Sequence, residues 1–165
     1  MIEKSSLPQS PQLSTCRIHL PRGALGARPD AAPVGRLRIE LQTPTEIKGG
    51  DQVVGRPEFG TLFARARDRV SALRGLYREG PLPIDFRAMG ERAAAVCMTN
   101  CELRHVQGER RSGRTGQVHP LGGFIGVAEY EGDLGEFVPI LSAAEWTGVG
   151  RQTVWGTGAI RVAGV

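Results

Sequence analysis

The chain has 165 residues, 40% of them hydrophobic, with 21 Lys plus Arg against 17 Asp plus Glu and three cysteines. This length suits one ordinary domain with a tail. No apolar run approaches the roughly 18 residues a membrane helix needs, and the N-terminal "MIEKSSLPQSPQLS" lacks the apolar centre of a secretion signal, so a cytoplasmic chain without membrane association is expected. The net charge of +4 rests almost wholly on arginine, 19 of the 21 bases, and arginine's planar fork suits phosphate contacts and stacking on bases.

Residues 1–33 hold five of the eleven prolines (Pro8, Pro11, Pro21, Pro29, Pro33) and little apolar periodicity; they read as a leader or remnant, and the domain is expected over 34–165. "RLRIELQTPTEI" alternates, Leu37, Ile39 and Leu41 against Arg36, Arg38, Glu40 and Gln42, which predicts a half-buried strand. "PEFGTLFARARDRVSALRGLY" then places Phe59, Leu62, Phe63, Ala66, Val70, Leu73 and Tyr77 at helical steps, with Pro57 in the first turn. Its arginines, Arg65, Arg67, Arg69, Arg74 and Arg78, read mainly as a solvated outer face. "AAVCMTNCELRHVQ" and "HPLGGFIGVAEYEG" predict two strands joined by the polar loop "GERRSGRTGQ", a hairpin with a long basic tip. Asp133 is a candidate cap for a second helix whose apolar face is Phe137, Ile140, Leu141 and Ala144, with Pro139 in an early turn and Gly148 as the stop. A last strand is expected from Val154 to Val162.

The order β-α-β-β-α-β is that of an α+β, ferredoxin-like (RRM-like) sandwich, an antiparallel sheet with two helices on one face. That scaffold hosts unrelated functions, so the chemistry must come from its sites. Cys97 and Cys101 are expected to pack on one face of a strand, Cys16 makes the cysteine number odd, and no second pair supplies metal-ligand spacing; neither a disulfide framework nor a metal or other cofactor is expected. The glycine run "GVGRQTVWGTG" follows a helix and precedes a strand, the reverse of a phosphate-binding P-loop or a dinucleotide turn, and neither Lys4 nor Lys48 is near it. Gly148, Gly150, Gly156 and Gly158, with Arg151, Gln152 and Thr153 between them, either bring backbone amides to a phosphate chain or simply permit tight turns.

The ordered segments "GGFIGVAEYEGDL", "FVPILSAAEWTGVG" and "GRQTVWGTGAIRV", with "RLRIELQTPTEIKGG" upstream, resemble the C-terminal half of the CRISPR-associated endoribonucleases of the RAMP superfamily that process precursor crRNA. The likeness spans roughly residues 34–163. It implies CRISPR repeat RNA as the binding partner, held by the glycine-rich loop, and metal-independent cleavage leaving a 2′,3′-cyclic phosphate. Family members usually carry two tandem ferredoxin-like domains, and this chain matches the second. A separate N-terminal-domain chain or other CRISPR effector subunits are therefore expected as partners.

Within this frame Arg110, Arg111 and Arg114 of the hairpin tip join the glycine-loop residues as candidate RNA contacts. His105 and His119 flank the basic loop and are candidate general base and acid for attack by a 2′-hydroxyl, with His19 in the leader a more remote one. Two other readings stay open. One is an RNA-recognition-motif-like binder stacking bases on Phe124 and Tyr130; the other is a structural subunit of a ribonucleoprotein.

Overall fold

The computed structural model describes residues 34–77 and 80–164. The leader with Cys16 and His19, and Arg78 of the expected helix, lie outside the described residues. Strand β1 (Arg36–Thr45) is followed by a small hairpin, β2 (Lys48–Gly49) and β3 (Gln52–Val53), then helices α1 (Phe59–Tyr77) and α2 (Phe86–Ala94). Strand β4 (Cys97–Val106) runs through a ribbon, β5 (Glu109–Arg111) and β6 (Val118–Pro120), into β7 (Gly123–Glu131), which is followed by helix α3 (Val138–Thr147) and strand β8 (Ile160–Gly164). The main sheet has the order β4-β7-β1-β8, with every neighbouring pair antiparallel.

In β1 the expected alternation holds over its first seven residues: Leu37, Ile39 and Leu41 are buried while Arg36, Arg38, Glu40 and Gln42 face out. The helices cover the inner face, and an aromatic cluster fills the space between: Phe59 stacks edge-to-face on Tyr130 and Phe137 with ring centres 5.2 and 5.1 Å apart, and Phe63 meets Phe137 at 4.7 Å. Tyr130 is wholly buried, and its hydroxyl donates to the Pro57 carbonyl at 2.7 Å. Burial pushes its phenol pKa well above the usual range.

Among the described residues there are three α-helices rather than two. The additional one, α2, starts where Asp85 accepts from the amides of Arg87 and Ala88, both at 3.0 Å, the signature of a side-chain N-cap. It packs so closely on α1 that the Gly60 position lies against Ala94. The apolar stripe of α1 ends near Val70: Leu73 is half-buried and Tyr77 is exposed. Arg69 explains the change, because its Nε donates to the carbonyl of Thr147 at the last residue of α3, so α1 continues past the end of its neighbour. Arg67 lies over the Phe86 ring and donates to the Phe86 carbonyl, and Arg74 reaches the carbonyls of Gly80 and Pro81. Three of the helix arginines thus tie packed elements together instead of forming a solvated face.

Asp133 does not cap α3. Leu134 and Phe137 are drawn into the core, the Phe137 amide donates to Leu134, and the helix begins only at Val138 with no side-chain cap. Gly148 does end it, at φ 75°. The last strand is shorter than expected, because residues Thr153–Trp155 form a 3-10 turn and pairing with β1 starts at Ile160. A bulge between Met98 and Asn100 separates the cysteines: Cys97 pairs with outward-facing Glu131 and Cys101 with buried Ala128, so they occupy opposite faces. Cys97 is exposed rather than packed in the core.

Candidate nucleic-acid interface

Three segments distant in sequence meet at one end of the sheet. The first is the end of β1, where Thr45 is buried and the Gly123 position of β7 lies directly against its backbone; a Cβ there would stand 2.6 Å from the Thr45 nitrogen. The second is the glycine loop. The amides of Arg151, Gly158 and Ala159 donate to the Glu46 carbonyl (3.0 Å), the Pro44 carbonyl (3.1 Å) and the Thr43 hydroxyl (2.9 Å), which ties the loop to the β1 end. Val149 donates to Gly158 at 2.8 Å and closes the loop upon itself, while the Thr157 hydroxyl donates to the Arg151 carbonyl.

These bonds decide much of the choice between phosphate cradle and tight turn. Gly150 (φ 85°) and Gly158 (φ 77°) sit where a Cβ would lie 2.4 Å from the Glu46 carbonyl oxygen and 2.1 Å from that of Val149. Both glycines are required by close backbone approach. Gly148 and Gly158 also border the Thr153 methyl, and Gly156 closes the 3-10 turn at φ 86°. Gln152 takes a left-handed conformation at φ 59° despite its side chain. Several loop amides are therefore already engaged within the fold. Arg151 is ion-paired with Glu46, so its charge is partly neutralised.

The third segment is the ribbon of β5 and β6. Arg110 and His119 are directly paired across it, and both reach Trp155 of the glycine loop: the Arg110 guanidinium lies 4.9 Å from the ring centre, and the His119 ring 5.4 Å away at a 46° tilt. Arg111 and Arg114 are exposed. The tip is a tight turn, with the Ser112 hydroxyl accepting from Thr115 and the Gly116 amide donating to Ser112. Arg110 and His119 of the expected hairpin thus meet the glycine loop at Trp155, which residue spacing did not single out. Its signal was present as a tryptophan inside a polar, glycine-rich loop; Glu46 and Thr43 carry no comparable signal, since their role depends on the loop folding back onto β1.

His105 lies edge-on to Phe124 with ring centres 5.3 Å apart, whereas His119 contacts Trp155, so each imidazole has its own aromatic partner. Tyr130 is not available for base stacking because it is buried in the aromatic cluster, and Phe124 is partly buried against the core. The open face of the sheet carries ion pairs instead, Arg36 with Glu131 and Arg38 with Glu129. Among the described residues no cluster of three or more metal-ligating side chains occurs, and no helix is long and apolar enough to cross a membrane.

The profile of the family described as CRISPR-associated endoribonuclease Cas6 matches residues 39–160, a span that takes in most of β1, strands β4 and β7, the three helices and the glycine loop, and ends at the first residue of β8. This chain belongs to the Cas6 family. Among solved structures, Thermus thermophilus Cas6 (TTHB231) in its product complex superposes with a TM-score of 0.60 at 18% identity, over 86% of this chain and 54% of that one. The product complex of Cas6 (TTHA0078) gives 0.56 at 20% identity, over 86% and 56%. A partial Cas6-RT-Cas1–Cas2 complex gives 0.55 at 15% identity, over 86% of this chain and 24% of its counterpart. At these identities the likeness establishes the ferredoxin-like fold of Cas6. The chain spans about half the length of the two Cas6 chains. No curated protein matches it.

Proposed function

We propose that this Cas6-family chain binds CRISPR repeat RNA through the surface made by the β5–β6 ribbon and the glycine loop, and takes part in endoribonucleolytic processing of precursor crRNA in the cytoplasm. The observation that carries the reading is the junction itself: Arg110 and His119 from the ribbon meet Trp155 from the loop, and Arg111 and Arg114 are exposed further along the same ribbon and its tip. Cations next to an aromatic face match an RNA strand, which offers phosphates and unstacked bases together.

Cleavage in this reading proceeds by attack of a 2′-hydroxyl on the adjacent phosphorus, with departure of the 5′-oxygen and formation of a 2′,3′-cyclic phosphate. His105 and His119 are the proposed proton-handling groups, and a separately encoded N-terminal-domain chain or another CRISPR effector subunit is the proposed protein partner. The likeness to a partial Cas6-RT-Cas1–Cas2 complex supports membership in a larger assembly.

The test incubates the purified chain with end-labelled CRISPR repeat hairpin RNA in EDTA, following binding by gel shift and cutting by product length and end group. A specific shift with cyclic-phosphate product is expected of a self-sufficient nuclease, and a specific shift alone of an RNA-holding domain whose catalytic partner is another chain. No shift at low salt overturns the reading.

A further inference from the structure

We infer that Trp155 is a base-stacking platform that takes one unpaired nucleotide of the bound RNA, with Arg110 placed for the flanking phosphate. The inference rests on the RNA-binding reading and adds the group that would read the strand at this surface.

The seven large apolar side chains left exposed among the described residues include both tryptophans, Trp146 and Trp155, yet their surroundings differ. Trp155 keeps 38% of its surface open while being held on both its backbone and its ring. Its amide donates to the Gln152 carbonyl at 2.8 Å inside the 3-10 turn, and that turn is pinned by left-handed residues at either end, Gln152 and Gly156. The ring is then flanked by Arg110 at 4.9 Å and His119 at 5.4 Å. An aromatic ring fixed in this way loses little rotamer freedom when a second ring stacks on it, which favours binding.

Charge selects the occupant. Arg36, Arg38, Arg87, Arg92 and Arg151 are each matched to a carboxylate, and Arg67, Arg69 and Arg74 to backbone carbonyls. Arg110, Arg111 and Arg114 are in none of the described ion pairs, as is also true of Arg56, Arg65, Arg104 and Arg161, and what distinguishes Arg110 is that it leans on the Trp155 ring. Arg110 thus stands at a fixed π-face as a cation outside the described ion pairs, with Arg111 and Arg114 further along the same ribbon. A nucleotide supplies both complements at once, its base to the ring and its phosphate to the guanidinium.

Since the sequence has two tryptophans, Trp146→Phe leaves Trp155 as the sole tryptophan reporter, and Trp146 is 81% exposed, so its replacement leaves the core intact. The Trp146→Phe protein is titrated with the repeat hairpin RNA and with versions carrying single abasic sites in the unpaired flanks, while gel shifts on the same samples measure binding. Stacking predicts quenched Trp155 emission, relieved by an abasic site at one position. In the otherwise native chain, Trp155→Ala then weakens binding about 5- to 150-fold and Trp155→Phe restores most of it, the range expected for loss of one stacked base. Circular dichroism of each variant confirms folding. RNA binding with unaltered Trp155 emission overturns the stacking assignment and leaves the RNA-binding reading standing. Failure of the otherwise native chain to bind overturns both.

Discussion

Replacing Arg110, Arg111 and Arg114 together by alanine tests the electrostatic half of the interface. All three are exposed on the ribbon and its tip, where Glu109 is the nearest acid in sequence. If each neutralises one phosphate of an unpaired strand, the salt dependence of log affinity falls by about 0.7 per residue, or about 2 for the triple variant. Between about 50 and 200 mM salt, that difference amounts to about 18-fold in how steeply the native protein loses affinity relative to the variant. Filter binding over this range measures it. The control is Arg36→Ala with Arg38→Ala, whose guanidiniums are already paired with Glu131 (3.2 Å) and Glu129 (3.0 Å) on the open face of the sheet. Its slope should stay near that of the native chain. An unchanged slope in the triple variant, or an equal drop in the control, would refute the reasoning that free ribbon arginines rather than total charge hold the RNA.

Glu46→Gln should tighten RNA binding at low salt severalfold, because it frees the Arg151 guanidinium from its carboxylate partner; weaker binding would mean that the pair orients Arg151 for contact. Gly158→Ala, at φ +77° with its Cβ 2.1 Å from the Val149 carbonyl oxygen, should destabilise the fold by at least about 2 kcal/mol, read as a lowered Tm; an unchanged Tm would contradict the closure of the glycine loop. Tyr130→Phe removes the donor to the Pro57 carbonyl and should cost about 1–3 kcal/mol in a urea titration, with stability equal to the native chain as the refuting result.

Much of the scaffold was legible without coordinates. The alternation of Leu37, Ile39 and Leu41 announces β1, the spacing of Phe59, Leu62, Phe63 and Ala66 announces α1, and the polar stretch between two extended runs announces the hairpin. These signals are local: period two or period 3.6 follows from which side of one element must avoid water. The four strands and two long-spaced helical segments determine the ferredoxin-like order, and the ordered glycine and apolar motifs determine the family.

Tertiary structure decided the rest. Whether Cys97 and Cys101 share a face depended on a bulge that slips the register by one residue, a pairing property invisible in strand periodicity. The arginines of α1 looked like a solvated face until α2, α3 and the Gly80–Pro81 turn supplied carbonyls for three of them. The glycine loop resolved into a structural clasp on the β1 end, because amides and Cβ clearances have meaning only once two backbones lie side by side. Trp155 joined the basic ribbon for the same reason: residues 110, 119 and 155 are neighbours only after the sheet brings the hairpin base and the last loop to one end, and no spacing rule within a single segment encodes that contact.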